Sequence, residues 1–329
     1  MVRWIGIGLM GVVALLAVVV VSARLSLDSS RAHSARTGAL PLWSGGAGGD
    51  AGSEISLFRV AARGLEFRTR VAGVGNPGPA VLMLHGFPES SAMWQPLLEA
   101  AAAAGFRAAA FDQRGYSPGA RFEDPSHYRL PELHQDVLAV ADALGFERFH
   151  LVGHDWGSIV GWSVTAGAPD RVLTWTSLSI PHPAAVAQAN GDRGTPLYIR
   201  FFRVPGLMET VFSFGGFALL DPMMAEVPPA QVAEYRAILS EPGGMTAAFD
   251  WYRAMDGLPK IDSVAQPVLY LFGNRDMPVF VGEAPRAAQE PLLLGPHRSI
   301  ELDAGHWLIE ERTDDVVGAI LDHLEARRG

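Results

Sequence analysis

The chain has 329 residues, 49% of them hydrophobic and 19% charged, with a formal net charge of −9 and no cysteine. That length suits one large domain with an insertion, or two smaller domains, and the apolar share supports a substantial core. The acidic balance argues against nucleic acid and anionic membrane surfaces as main partners, and the missing cysteines exclude disulfides, thiolate nucleophiles and cysteine-ligated zinc.

In chain order, the first element is an uncharged apolar run, Trp4 to Val21, preceded by Arg3 and followed by Ser22-Ala23-Arg24. Its length lies at the lower edge of a membrane span of roughly 17–25 residues and above a signal-peptide core of roughly 7–15. Residues 1–23 are therefore expected to be a hydrophobic anchor or a signal, either kept in the membrane or cleaved beside Val21-Ser22-Ala23 with export of the rest. Arg24, Arg31 and Arg36 compete with Arg3 for the cytoplasmic side, so the pattern assigns no orientation. Residues 24–54, which include SGGAGGDAGS, read as a flexible tether too poor in core residues to fold.

Past the tether, short β-rich runs alternate with helical patterns, which predicts an α/β fold: a mostly parallel eight-stranded sheet with helices on both faces. Strands are predicted near Leu57–Val60, Glu66–Val71, Ala80–Leu84, Arg107–Phe111, Phe149–Val152, Leu173–Leu178, Val268–Phe272 and Ser299–Leu302. Helices are predicted near Ala92–Ala104, Pro131–Leu144, Ser158–Ala168 and Asp314–Ala326. Residues 55–183 and 261–329 form the two parts of this core. Between them, residues 184–260 lose the alternation and show Met- and Phe-rich helical pieces broken by VPGL, DPMM, VPPA and EPGG. That segment is expected to be a helical cap over the carboxyl ends of the strands, where open α/β sheets bind ligands.

Asp155 sits directly after a predicted strand in LVGHDWGSIVG, flanked by Gly153 and Gly157. This is the frame of a G-x-S-x-G nucleophile elbow with aspartate in place of serine. An N-cap role would also suit aspartate, although Ser158 could cap equally well and capping does not call for paired glycines. A nucleophilic carboxylate forms an ester that activated water must cleave, so a base is needed. His306, after the last predicted strand, stands at the same sheet edge. Asp276, after the strand Val268–Phe272, would orient it; Asp303 competes, but its packed neighbours favour a turn role. The order Asp155, Asp276, His306 is that of nucleophile, acid and histidine in α/β-hydrolases. The backbone N–H groups of Phe87, in His85-Gly86-Phe87-Pro88, and of Trp156 are the expected oxyanion donors.

The motifs HGFPES, DQRGYS, GHDWG, GNRD and AGHW together resemble the epoxide hydrolases of the α/β-hydrolase superfamily, over about residues 55–329. The resemblance implies the α/β-hydrolase fold with an inserted helical cap and no metal or organic cofactor. It also implies that Tyr198, in YIRFFRVPG, and Tyr252, in DWYRAM, bond the epoxide oxygen and donate a proton as the ring opens. Phe87, Trp156 and Trp251 would line a pocket for a small apolar epoxide, with water as second substrate. One departure is Ser117, which replaces a loop glycine in Arg114-Gly115-Tyr116-Ser117-Pro118 and puts the local conformation in question.

A haloalkane dehalogenase would share the aspartate nucleophile. It would prefer asparagine at Phe87 as a halide donor, and it has no use for the cap tyrosines. A serine esterase lacks its serine here, and a fluoroacetate-type dehalogenase would prefer arginine at Trp156. A non-enzymatic binding protein on the same fold is the remaining reading, against which stands the full set of catalytic groups.

Overall fold

The computed structural model describes residues 37–44, 54–191, 196–255 and 257–328. The apolar run Trp4–Val21 lies outside them; among the described residues no helix is long and apolar enough to cross a membrane.

Eight strands form one sheet: β1 (Ser56–Ala62), β2 (Leu65–Ala72), β3 (Ala80–Leu84), β4 (Arg107–Phe111), β5 (Phe149–His154), β6 (Val172–Leu178), β7 (Val268–Gly273) and β8 (His297–Leu302). Their order is β1-β2-β4-β3-β5-β6-β7-β8. The β1–β2 and β2–β4 pairs are antiparallel, and all the others are parallel. Every residue of β3, β5 and β7 is buried, which is why these strands read as apolar runs rather than alternating ones. On one face, α1 (Gln95–Ala103) and α13 (Thr313–Glu325) set Leu97, Leu98, Val316 and Ile320 against Val81 and Met83. On the other, α2 (Leu130–Ala143) and α3 (Trp156–Gly167) set Leu133, Val137 and Val160 against Leu82 and Leu84.

The strand order reverses at β3, which has β4 on one side and β5 on the other. Such a switch point leaves a crevice beyond the strand ends. Here β3 runs into His85-Gly86-Phe87 and β5 runs into Asp155, so the crevice is bounded by the two segments expected to carry chemistry.

Helices fill the interval between β6 and β7: α4 (Pro183–Asn190), α5 (Leu197–Phe202), α6 (Leu207–Ser213), α7 (Leu220–Met223), α8 (Pro229–Ser240) and α9 (Gly244–Ala254). After β7 come α10 (Pro278–Val281) and α11 (Glu283–Gln289), and α12 (Leu308–Glu311) follows β8. The first cap helix, α4, packs on α11 of the core. An ionic cluster fastens α8. Glu234 accepts from Arg70 at 2.6 Å, Arg68 at 2.9 Å and Ser90 at 2.7 Å, while Asp112 binds Arg68 at 2.8 Å and Ser91 at 2.6 Å.

Several expectations need correcting. The helix expected from Ala92 starts as a 3-10 turn, Ser91–Trp94, before α1 begins at Gln95 with a proline in its first turn. Helix α3 starts at Trp156, not Ser158, and Ser158 caps nothing: its hydroxyl donates to the Gly153 and Leu178 carbonyls. The tether is not wholly unfolded. Pro41 O accepts from Arg59 N and Trp43 N donates to Arg59 O, while Trp43 packs edge-on against Phe58 at 5.0 Å. β1 is an edge strand with backbone groups to satisfy, and one large indole is enough to hold a short segment against it.

Candidate active site

The turn at Asp155 depends on the absence of side chains around it. A Cβ on Gly157 would lie 2.2 Å from Leu84 O, and one on Gly153 would lie 2.5 Å from Gly157 O. These glycines let α3 start against the end of β3, and Asp155 between them takes φ 50° and ψ −116°. A non-glycine residue in such a region costs on the order of 1–3 kcal/mol and persists only where its surroundings enforce it. The side chain makes no capping bond, so N-capping does not explain it. Instead Oδ1 accepts from Phe87 N at 2.9 Å, and Oδ2 faces His306 Nε2 at 3.7 Å. The approach of Phe87 requires Gly86, where a Cβ would lie 2.5 Å from Asp155 Cβ.

His306 is gripped from three strands. Its Nδ1 meets Asp276 Oδ2, beyond β7, at 2.9 Å. Its carbonyl accepts from His154 Nε2, at the end of β5, at 2.9 Å and from Ser179 Oγ, beyond β6, at 3.3 Å. Asp276 is fixed in turn by Met277 N at 2.6 Å. Asp303 is exposed and faces Arg275, so it orients nothing in the site. Burial opposes a second proton on the His306 ring. The Asp276 carboxylate, its hydrogen bond and the charges of Asp155 and Glu89 outweigh burial, and the imidazole is pushed up to about 9. At Asp276 burial acts the other way, but the His306 charge and hydrogen bond hold the carboxyl below its ordinary range.

From the cap, Tyr198 on α5 and Tyr252 on α9 lie within the field of Asp155. Each phenol is pushed up, by burial first and by the Asp155 charge next. Tyr252 stands edge-on to Trp156 at 5.0 Å and to Phe87 at 5.6 Å, with the Trp156 side chain in hydrogen-bonding reach of its hydroxyl. Phe87 also packs against Phe202, Phe212 and Phe249, giving the site an aromatic ceiling. Trp251 stands behind Trp156 at 5.4 Å and donates its indole N–H to Arg114 O at 3.0 Å, so it braces the Trp156 wall. A cavity of about 720 Å³ opens on the other side of that wall, lined by Trp156, Trp251, Ile159, Arg203 and Met255, but by neither Asp155 nor His306.

The Ser117 departure has a plain resolution. Its hydroxyl donates to Asp112 O at 2.6 Å and accepts from Arg68 N at 2.9 Å, so the serine ties its loop down. Three polar residues of the site escaped the sequence reading. Glu89 and His154 were in view inside HGFPES and GHDWG without a role, and Ser179 gave no signal at all.

Replacing Asp276 with asparagine removes the principal cause that raises His306. The His306 titration, followed by NMR of its ring protons, is expected to fall from about 9 towards an ordinary imidazole value near 6.5. An unmoved titration would remove Asp276 from that role.

Comparison with known proteins identifies the family. The family profile of the alpha/beta hydrolase fold matches residues 79–214. Epoxide hydrolase A of Mycobacterium tuberculosis is 30% identical over 304 residues, covering 78% of this chain and 94% of the relative. Among solved structures, epoxide hydrolase A from Mycobacterium thermoresistibile superposes with a TM-score of 0.68 at 28% identity, covering 83% of this chain and 98% of that one. Potato epoxide hydrolase I gives 0.69 at 25% identity, covering 83% and 100%. With an aspartate in the elbow, a histidine and second aspartate at the same edge and two tyrosines above them, this chain belongs to the epoxide hydrolase family of the α/β-hydrolase superfamily.

Proposed function

We propose that the chain hydrolyses an apolar epoxide to a vicinal diol through an ester on Asp155. The observation that carries this reading is the split use of the Asp155 carboxylate: Oδ1 is held by Phe87 N, while Oδ2 is turned towards His306. Oδ2 attacks an epoxide carbon, the carbon–oxygen bond opens, and Tyr198 or Tyr252 gives its proton to the departing oxygen. Tyrosine suits this task because a strongly basic alkoxide needs a donor that stays protonated at neutral pH, and both phenols are held above their ordinary range.

The raised His306 is consistent with a base only because the first step changes its surroundings. In the resting site His306 carries two protons, stabilised partly by the Asp155 charge. Esterification removes that charge, so the imidazolium becomes more acidic just as a basic tyrosinate is left nearby. Proton transfer to the tyrosinate restores the phenol and frees Nε2. His306 then takes a proton from water, the hydroxide adds to the ester carbonyl carbon, and the oxyanion forms at Oδ1, where the Phe87 and Trp156 amides donate. Collapse expels the diol alkoxide, which is protonated by His306. The new carboxylic acid returns its proton to His306, and the resting charges are restored.

The dehalogenase reading is weaker here. Phe87 offers a halide a phenyl ring rather than an amide, and the Trp156 side chain is already in reach of the Tyr252 hydroxyl. We further propose that the apolar run Trp4–Val21 attaches the protein to a membrane, or directs its export if cleaved; the support for this is the sequence pattern alone.

In ¹⁸O-water, a single turnover is expected to leave label in the Asp155 carboxylate, read by peptide mass spectrometry, because the diol carries away the original Oδ2. Diol without label there would exclude the ester. The Y198F/Y252F double variant is expected to slow ring opening by about 10²–10⁴-fold, measured as the pre-steady-state alkylation rate, and an undiminished rate would remove both tyrosines from the mechanism. Intact mass of membrane and soluble fractions tests the N-terminal run: full-length protein only in the soluble fraction would rule out both attachment and cleavage.

A further inference from the structure

Behind His306, on the side away from Asp155, lies a second chain of carboxyl and imidazole groups. Glu89 is wholly buried. Its Oε2 meets His154 Nδ1 at 2.8 Å, and His154 Nε2 meets the His306 carbonyl at 2.9 Å. A carbonyl only accepts, so Nε2 carries a proton. The His154 and His306 ring centroids are 4.8 Å apart. On α12, Glu310 brings another carboxyl into hydrogen-bonding reach of Glu89. Neither Glu310 oxygen, nor Oε1 of Glu89, completes a well-aligned hydrogen bond among the described residues, the only nearby donor to Glu310 being its own backbone N–H, and all three atoms are shut off from solvent. Two carboxylates in contact and out of water repel too strongly for both to be charged. One proton between them removes the repulsion and satisfies orphaned oxygens on both sides.

We propose that Glu310 is a positioning residue for the hydrolytic step: as a carboxylic acid it donates to Glu89 Oε1, which keeps Glu89 anionic towards His154 and His154 doubly protonated beneath the catalytic imidazole. The groups facing Glu310 are Glu89 from the loop after β3, His154 from β5 and Tyr235 from α8, with Glu234 and Arg70 beyond the tyrosine. Arg70 is engaged by Glu234 and Ser91, which leaves His154 as the cation that Glu89 serves. Burial, and then the neighbouring Glu89, push the Glu310 carboxyl well above its ordinary range, in keeping with the acid form at neutral pH.

The consequence falls on one half of the reaction. A positive His154 disfavours a second positive charge on His306. In the resting enzyme the charges of Asp276, Asp155 and Glu89 override that repulsion. Once Asp155 is esterified, the His154 charge helps His306 shed its proton and act on water. Glu310 therefore bears on ester hydrolysis, and not on ring opening.

This inference rests on the reading of His306 as the base for an Asp155 ester. The test uses two variants of the full chain. E310Q keeps a donor for Glu89 but cannot ionise, whereas E310L removes the donor. Single-turnover kinetics give ring opening and ester hydrolysis separately as functions of pH. E310Q is expected to keep the wild-type acid limb for hydrolysis. In E310L that limb should move up by about one pH unit, which makes hydrolysis about tenfold slower at pH values on the acid side of the limb, with ring opening unchanged. Infrared spectra of the wild type at neutral pH should show the carbonyl band of a protonated carboxylic acid that E310Q lacks. An unshifted limb in E310L, a limb in E310Q that shifts as in E310L, or no acid band in the wild type would each overturn the proposal. Failure of the underlying reading looks different, because no ester would then accumulate in any variant, the wild type included.

Discussion

The site depends first on how closely two backbones approach. Helix α3 begins almost against the carbonyl of Leu84, at a distance that a single methyl group on Gly157 would forbid. That contact forces the turn at Asp155 into a region of φ that aspartate does not choose for itself. The return on this strain is orientation. The carboxylate is lifted out of the helix start, where it would otherwise cap amide groups, and is aimed between a backbone donor and an imidazole. Gly86 repeats the device from the other side, letting the Phe87 amide reach the same carboxylate.

Much of this was legible because the features concerned leave one-dimensional traces. β3 is covered on both faces, and so is β4 beyond Arg107, so each appears as an apolar run whose ends the sequence marks. The elbow was legible because backbone proximity demands glycine at fixed distances from Asp155. Asp276 and His306 were legible because strand ends in this topology share one edge. What escaped shares a different character. Ser179 matters only because β6 lies between β5 and β7, and Glu310 only because α12 folds back onto the loop after β3. The short helices α10, α11 and α12 are too brief to display a period. Trp43 sat inside a stretch whose glycines and serines masked a residue able to pack.

The electrostatics of the site follow from where its charges are allowed to sit. Asp155, Asp276 and Glu89 surround two imidazoles, all largely withdrawn from solvent, so the protonation of each ring is set by its neighbours rather than by bulk pH. This makes the resting state an interdependent set of opposite charges. Chemistry that consumes one member must redistribute protons among the rest. Esterification of a carboxylate has that effect by removing one negative charge.

The cluster around Glu234 carries a consequence for the architecture. Arg68 and Arg70 leave β2 as buried cations, and within the core Asp112 is the carboxylate bonded to Arg68. The second anion arrives from the inserted helices. A buried guanidinium stripped of its partner is costly, on the order of 3–5 kcal/mol for a broken buried pair. The sheet and its insertion are thus not a scaffold with a detachable lid. The charge of the core closes only when the insertion is in place, so a shortened chain lacking it would inherit an unbalanced interior, and changes at Arg68 and Arg70 within β2 and at Glu234 on α8 are constrained to occur together.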